Sequence, residues 1–525
     1  MENLTSAAAI DGKLSFDRFR EEVLGDYKVA CISRETSLAA RKEVLTGKAK
    51  FGIFGDGKEL AQVAMAKFFK AGDFRSGYYR DQTFMFAIGL ATVEQFFSQL
   101  FADPDVNNDP FSAGRQMNSH FATPFVDKDG NWLDLANRKN ISADIAPTAG
   151  QMPRALGLAL ASKLFRSVNE LKQFNDLSDN GNEVCFVTIG DASTSEGHFW
   201  ETMNAAAVLQ VPMAVFVWDD GYGISVPTKY QTANGSISEA LRGMEKKQDS
   251  NGIHIYTVKG WDYAGMCEVF EAGISLTRNT HVPVLFHIEE MTQPQGHSTS
   301  GSHERYKPSE RLEWEREWDG IKKMREWILE NTLADDDELK EIEQNAKVFV
   351  RESRLKAWEK YLGPIRKQVA QTADLVNNLA KSLPQQASLL IKLSSELVSN
   401  HEPQRRDVLT TLNAALDLVG DHEAAYWTKD FYNELLHTNE QLYNSHLYNE
   451  GPKSALNVKE VKPAFDEDSS VMNGFEVLNK YFDEAFANDP KLLAFGEDVG
   501  QIGDVNQGFS GLQLKYGEER IADTG

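Results

Sequence analysis

Residues Glu183–Pro227 read EVCFVTIGDASTSEGHFWETMNAAAVLQVPMAVFVWDDGYGISVP, and this stretch decides the fold. Val184–Ile189 is a short apolar run rich in β-branched residues, the composition of a buried strand. Gly190-Asp191-Ala192-Ser193 interrupts it, and Glu196–Leu209 then spaces Phe199, Met203 and Ala206 at helical intervals. Met213–Trp218 is a second apolar run, closed by Asp219-Asp220-Gly221. Strand, helix and strand of these lengths form a βαβ unit, which predicts an α/β fold with a parallel sheet flanked by helices. Ligands of such sheets gather at the carboxyl ends of the strands. Asp191 and Asp220 stand at those two ends, about thirty positions apart. Two hard carboxylate donors, completed by backbone carbonyls and phosphate oxygens, suit an octahedral Mg²⁺. A helix beginning near Ser195 turns its N-terminus to the same place and favours a phosphate.

The bulk numbers are those of an ordinary globular chain: 525 residues, 41% hydrophobic and 25% charged. The formal net charge of −23 argues against nucleic acid or an anionic membrane surface as partner. Three cysteines with no CxxC pair suggest neither a disulfide framework nor a zinc site, which fits a reducing compartment. The first residues, MENLTSAAAIDGKL, lack both a basic start and a long apolar core. No apolar run is long enough for a membrane span. The expected location is the cytoplasm.

Outward from the central unit, residues 1–14 read as a loose leader and Phe16–Leu45 as helix. Gly55-Asp56-Gly57 reads as a turn before a helix over Lys58–Phe69. Gly77-Tyr78-Tyr79-Arg80-Asp81 opens an apolar helix (Phe84–Leu90), and Arg80 suits either bidentate binding of a diphosphate or a capping salt bridge. Gly114–Phe121 is a polar loop carrying Met117 and His120. Ile145–Pro153 leads into a small-residue helix, Arg154–Leu164, able to approach a cofactor or a neighbouring helix closely. Ile253–Val258 and Val284–Glu289 are further strands, with a helix near Ala264–Thr277 between them. Amphipathic helices are expected over Glu310–Leu329 and Asp335–Leu362, the second with an acidic start that complements the helix dipole. Residues 363–470 keep helical periodicity without a cluster of reactive groups and read as a helical connector.

Gly190-Asp191-Ala192 followed by Asp219-Asp220 resembles the thiamine-diphosphate signature, which begins GDG or GDA and ends Asn-Asn. The surrounding text resembles the α-subunit of 2-oxoacid dehydrogenase first components. This resemblance implies thiamine diphosphate and Mg²⁺ as cofactors, with Asp191, Asp220 and the Tyr222 carbonyl on the metal. Gly190, Ala192, Ser193 and Asp220 then lie against the cofactor, Tyr79, Arg80 and His297 on its diphosphate side, and Ala146 and Thr148 beside its aminopyrimidine half. The loop around Met117 and His120 is similar to the GRQMPxHY segment of branched-chain relatives. Gln295–Ser300 is similar to the GHxSTS loop, which makes His297 the histidine that assists acylation of a lipoyl group. The chain departs from the family in reading Asp219-Asp220 for Asn-Asn, and in Trp218 where Arg often precedes that pair. The departures put the metal affinity and one cationic contact in question.

Residues 471–525 resemble the opening of the β-subunit of the same enzymes, with Glu497 in a GEDV segment assigned to a proton relay. The expected architecture is therefore an α-type domain (1–362), a connector (363–470) and the start of a β-type domain (471–525). The β-type glutamate that faces the aminopyrimidine closes a DTPIxE segment. Here that segment reads Ala522-Asp523-Thr524-Gly525, so the glutamate is expected beyond it. The chain is accordingly expected to be an N-terminal portion that does not turn over alone, with residues 471–525 poorly ordered or packed on the α-type part. The implied activity is oxidative decarboxylation of a 2-oxoacid, branched-chain type favoured, with acyl transfer to the lipoyl domain of a dihydrolipoyl acyltransferase by a homodimer of fused chains. A transketolase-like enzyme is disfavoured by the two loop motifs. A non-catalytic scaffold that keeps the fold predicts no Mg²⁺-dependent cofactor binding.

Overall fold

A computed structural model describes residues 15–299 and 301–524. The expected leader (1–14), Ser300 of the histidine loop and Gly525 lie outside the described residues. The six strands of the main sheet are β1 (Phe74–Ser76), β2 (Asn140–Ile141), β3 (Cys185–Gly190), β4 (Met213–Trp218), β5 (His254–Lys259) and β6 (Val284–Glu289). Their spatial order is β2-β1-β3-β4-β6-β5, and every neighbouring pair is parallel. The chain runs outward from β1 to β2 and then crosses to the other side at β3, so the order reverses between β1 and β3. That reversal opens a crevice at the carboxyl edge of the sheet. The register aligns the tips: Gly190 pairs with Trp218, and Trp218 with Ile288.

Both faces of the sheet are buried. Phe186, Phe216 and Phe286 point to one face, where they meet helices Phe16–Leu45, Glu59–Ala66 and Tyr263–Thr280 through Tyr27, Val63 and Phe270. Val187, Val215 and Leu285 point to the other, against helices Gln151–Ser167 and Gly197–Leu209 through Met152, Phe199 and Met203. This alternation is the period-2 rule applied to strands covered on both sides. The short strands β1 and β2, the second at the sheet's edge, carry buried Arg75 and Asn140 and are held by polar contacts. Arg75 donates to Asp81 (2.5 Å) and Asp144 (3.1 Å), and Asn140 donates to the carbonyl of Leu135 at 2.9 Å.

Several elements differ from the sequence reading. The Trp-rich segment is two helices, Ser309–Glu317 and Gly320–Glu330, because the Asp319 side chain accepts from Lys322 N and caps a fresh start. The helix after β3 begins at Gly197, one 3₁₀ turn (Ala192–Ser195) beyond the strand tip. A single helix, Asp336–Ser382, runs through Gly363-Pro364. Its first part packs on the sheet domain through Val350 and Ala357. Its second part packs through Ile365 and Val369 against helices Ala387–Ser399, Arg405–Val419 and Tyr426–Asn444. Apolar anchors on both sides of Pro364 hold the helix together where proline removes a backbone donor.

Residues Gly474–Asp523 form a small unit of helix Gly474–Asn488, a short helix Leu512–Tyr516 and a parallel pair of strands, Ala494–Gly496 and Ile521–Asp523. Phe486, Leu512 and Ile521 are its core. It touches the sheet domain where Leu493 packs beside Leu164, Val168 and Leu171, and where the Lys491 ammonium lies 4.8 Å from the centre of the Phe174 ring. Among the described residues no helix is long and apolar enough to cross a membrane.

Candidate active site

A cavity of ≈ 430 Å³ opens at the carboxyl edge of the sheet, and each central strand tip delivers part of its wall. After β1 come Tyr78, Tyr79 and Arg80; after β3, Gly190, Asp191, Ala192 and Ser193; from β4, Trp218 and Asp220; after β6, Gln293 and His297. Thr148 enters from the loop before helix Gln151–Ser167. A two-stranded hairpin, Tyr222–Gly223 with Val226–Pro227, walls the far side. A Cβ on Gly223 would sit 2.8 Å from the Ala192 Cβ, so only glycine lets the hairpin close onto the β3 turn.

Asp220 is held by a lysine from another part of the chain. Lys58 Nζ donates to Asp220 Oδ2 (2.6 Å), to Gln293 Oε1 (2.6 Å) and to the Thr292 carbonyl (2.9 Å). The Lys58 side chain is 1% exposed, and the approach that places it rests on Gly57, at φ +87°, whose Cβ would meet the Thr292 carbonyl at 2.0 Å. Burial raises Asp220, but the Lys58 and Arg80 cations outweigh it and hold the carboxyl below the ordinary range. Among the described residues no cation lies at hydrogen-bond distance from Asp191; Thr228 Oγ1 donates to it at 3.3 Å. Burial, then the neighbouring Asp220 and Asp219 charges, push Asp191 well above the usual carboxylate range. Asp219 turns away from the cavity and accepts from His287 Nε2 (2.8 Å) and Gly221 N (2.9 Å).

Arg80 ties two loops together beside the cavity. Its Nη1 donates to the Phe54 carbonyl at 2.6 Å, and its Nη2 reaches both the carbonyl and Nδ1 of His297 at 3.0 Å. A guanidinium has donors only, so His297 Nδ1 accepts and the imidazole proton sits on Nε2. Burial and the Arg80 charge draw His297 down to about 4, which keeps the ring neutral near pH 7. Lys307 also lines the cavity, paired with Glu315 at 2.6 Å, with its ammonium 5.3 Å from the centre of the Tyr222 ring.

The structure therefore gathers Tyr79, Arg80, Thr148, Gly190, Asp191, Ala192, Ser193, Asp220, Tyr222 and His297 on one cavity. Ala146 is exposed on the same loop as Thr148 and does not line it. Glu497 is exposed in the small C-terminal unit and does not line it either. Met117 lines a second cavity, between the sheet domain and the connector beside Tyr361 and Gln404. His120 is buried, its ring near-parallel to that of Tyr79 at 6.5 Å. Sequence reasoning missed Lys58, Gln293 and Lys307. Lys58 carried one signal, a cation placed at a helix N-terminus, where the dipole disfavours it.

The profile of the dehydrogenase E1 component family matches residues 27–364, which hold the whole six-stranded sheet and every residue that lines this cavity. The chain belongs to the dehydrogenase E1 component family. It is 26% identical over 320 residues to the 2-oxoisovalerate dehydrogenase subunit alpha 1, mitochondrial, of Arabidopsis thaliana, covering 60% of this chain and 59% of the relative. It is 27% identical over 326 residues to the 2-oxoisovalerate dehydrogenase subunit alpha of Bacillus subtilis (strain 168), covering 62% and 86%. The pyruvate dehydrogenase E1 component subunit alpha of Rickettsia bellii (strain RML369-C) is 28% identical over 204 residues, covering 39% of this chain and 55% of the relative. The chain thus spans between half and two thirds of the Arabidopsis and Rickettsia proteins it matches.

The E1 component family implies thiamine diphosphate, and the residues present fit that group. Asp191 and Asp220 bring two carboxylates to one cavity, and the burial and neighbouring charge that push Asp191 up are what a bound divalent cation would relieve, the donor chemistry of such an ion. Gln293 Nε2 is buried without a partner on a residue that lines the cavity, as a donor awaiting an acceptor would be. Arg80 and Lys307 place guanidinium and ammonium groups on the wall, and Gly190 allows close backbone approach. Among the described residues no group of three or more His, Cys, Asp or Glu converges on a metal site. The rest of a cation's shell then falls to backbone carbonyls, water and cofactor oxygens.

Proposed function

We propose that this E1 component chain carries the thiamine-diphosphate and Mg²⁺ half of a 2-oxoacid dehydrogenase, with 2-oxoacids of the branched-chain type preferred, and that the acyl group passes to the lipoyl domain of a dihydrolipoyl acyltransferase. The observation that carries this reading is the convergence of Asp191, Asp220, Arg80 and His297 on one cavity at the carboxyl edge of the sheet. The names of the Arabidopsis and Bacillus relatives favour 2-oxoisovalerate over pyruvate.

Thiamine diphosphate, when bound, supplies the nucleophilic carbon and the electron sink that decarboxylation of a 2-oxoacid requires. Asp191, Asp220 and the Tyr222 carbonyl would hold the cation. Tyr79, Arg80 and the Gln293 amide would hold the diphosphate oxygens, and Gly190, Ala192 and Ser193 the backbone cradle beside them. Thr148, with Ala146 on the same loop, would flank the aminopyrimidine half. His297, neutral with its proton on Nε2, is suited to donate a hydrogen bond to a carbonyl or carboxylate in the cavity. The hairpin carrying Ile224 and Val226 contributes apolar wall to the cavity.

Residues 471–525 are proposed to be β-type in character, supported by their helix and parallel strand pair, with Glu497 at the tip of the first strand available to a relay. A homodimer of such chains would unite α-type and β-type parts at each site. Three cysteines without disulfide bonds favour a reducing compartment such as the cytoplasm. The test is calorimetric titration with thiamine diphosphate, with and without Mg²⁺, followed by ¹⁴CO₂ release from 2-oxoisovalerate and from pyruvate by the native protein. Saturable, Mg²⁺-dependent binding is expected, together with faster release from 2-oxoisovalerate. Binding indifferent to Mg²⁺ would overturn the site assignment, and equal rates would overturn the substrate preference.

A further inference from the structure

The resemblance leads one to expect Asn-Asn where this chain has Asp219-Asp220, and each carboxylate has its own partner. Asp219 is answered by His287, whose other nitrogen lies 2.9 Å from Ser238 Oγ and fixes the ring. Asp220 is answered by Lys58, which belongs to a segment 162 positions earlier and is buried at its tip. An ammonium buried to this degree persists only where its hydrogens are satisfied and its charge is met. Lys58 meets both demands with Asp220, Gln293 and the Thr292 carbonyl. The same three bonds orient two residues of the cavity. Asp220 Oδ2 is taken by Lys58 and Oδ1 accepts from Tyr222 N at 3.2 Å, which fixes the carboxylate plane. Gln293 gives its oxygen to Lys58, which leaves its Nε2 as the buried donor without a partner.

We propose that Lys58 is a charge-matched positioning residue that couples the cation ligand Asp220 to an anion donor, the Gln293 amide, and so sets how tightly this site holds a divalent cation beside a diphosphate. The inference rests on the reading of the cavity as a thiamine-diphosphate and Mg²⁺ site. The Lys58 ammonium offsets the charge by which an aspartate exceeds an asparagine at position 220. Lys58 bonds Asp220 directly, whereas the Arg80 fork is directed at the Phe54 and His297 carbonyls. In this chain the positive charge at the metal end comes from the loop before helix Glu59–Ala66, and Trp218, at the end of β4, is buried in the core.

The experiment is a double-mutant cycle in the full chain: Lys58→Gln, Asp220→Asn, and both together. Mn²⁺ binding in the presence of thiamine diphosphate is read by electron paramagnetic resonance, with thermal unfolding alongside. Asp220→Asn alone leaves the ammonium facing neutral acceptors, and Mn²⁺ affinity is expected to fall by about a hundredfold. Adding Lys58→Gln removes that repulsion and is expected to restore affinity to within about tenfold of wild type, a coupling well outside additivity. Lys58→Gln alone is expected to weaken thiamine-diphosphate binding by about tenfold while Mn²⁺ affinity rises. If either single variant fails to fold, recovery of folding by the double variant reads the same charge match. A double variant that binds Mn²⁺ no better than Asp220→Asn, or that does not fold, overturns the proposal. Wild-type protein that binds neither Mn²⁺ nor thiamine diphosphate overturns the reading of the cavity and this inference with it. Wild-type binding with an additive cycle overturns this inference alone.

Discussion

Replacing Arg80 separates its two roles, as a tie between loops and as a ligand of the cavity. In Arg80→Met, the carbonyls of Phe54 and His297 and the Nδ1 of His297 all lose their donor at a residue that is 5% exposed. A buried acceptor left without a donor costs about 1 kcal/mol at the low end, so these acceptors together predict a loss of about 3 kcal/mol in folding stability. Loss of a charge-assisted contact to a diphosphate adds about 2 kcal/mol in binding, or roughly thirtyfold in Kd. Arg80→Lys keeps the charge and loses the fork. It is expected to recover most of the binding loss and little of the stability loss, because one ammonium cannot reach both carbonyls. The assays are urea unfolding without cofactor and calorimetric titration with thiamine diphosphate and Mg²⁺. Removal of the guanidinium also leaves His297 without its partner, and its titration, followed by NMR, should move up from about 4. Arg80→Met with wild-type affinity would refute the diphosphate role. Arg80→Lys with wild-type stability would refute the argument that the fork holds the two loops.

Asp191→Ala is expected to abolish Mg²⁺-dependent thiamine-diphosphate binding while leaving the urea midpoint of the apo protein unchanged or raised, because a buried carboxyl without a cation is removed; normal affinity would sink the metal assignment. Arg75→Met should destabilise the fold by about 3–5 kcal/mol, since it leaves Asp81 and Asp144 buried without their cation. Asp144→Asn in the same chain should recover part of that loss, and no recovery in urea unfolding would count against the ion-pair account. His281 and His297 are both drawn down to about 4 by burial. In the unfolded chain they take up a proton near pH 6.5, and in the folded chain only near pH 4. Their contribution is therefore fully present above pH 6.5 and is lost as pH falls toward 4, by up to about 3 kcal/mol for His281. Unfolding midpoints between pH 7.5 and 5 should fall accordingly. His281→Asn, which tolerates the φ of +58° at that position, should flatten the slope.

What was legible in the sequence is what is local. The βαβ unit declares itself because two apolar runs bracket a helix-spaced segment, and its aspartates stand at the strand tips that the register then brings level. The short strands β1 and β2 are not legible, because they carry Arg75 and Asn140, whose partners Asp81, Asp144 and Leu135 are supplied by the fold. The break at Asp319-Gly320 was legible, as an N-cap residue followed by a glycine, yet the surrounding Trp and Arg periodicity spoke for one helix. In the opposite direction, the helix expected to end at Leu362 continues through Gly363-Pro364 to Ser382. Punctuation of that kind yields when Leu362 and Ile365 are both buried in the same bundle. Lys58 is the sharpest case. Nothing near it explains a buried lysine, and its partner Asp220 is 162 residues away.

The charges on the cavity wall carry one further consequence. Asp191 and Asp220 are matched in number by Lys58 and Arg80, while Lys307 is spent on Glu315. With both carboxylates ionised, as cation ligands must be, the wall is therefore close to neutral before the ligands' own charges are added. A divalent cation alone would bring a positive charge into a buried, balanced site, and a diphosphate alone a negative one. Either leaves several kcal/mol of uncompensated buried charge. Together they nearly cancel, so each should bind weakly alone and tightly in the presence of the other. Linkage makes the two enhancements equal: the factor by which Mg²⁺ tightens thiamine diphosphate must be the factor by which thiamine diphosphate tightens Mg²⁺. A site whose position 220 were neutral and whose position 58 were also neutral would hold the same balance. The aspartate therefore need not weaken the metal, because the charge it adds is already answered by Lys58 before the cation arrives.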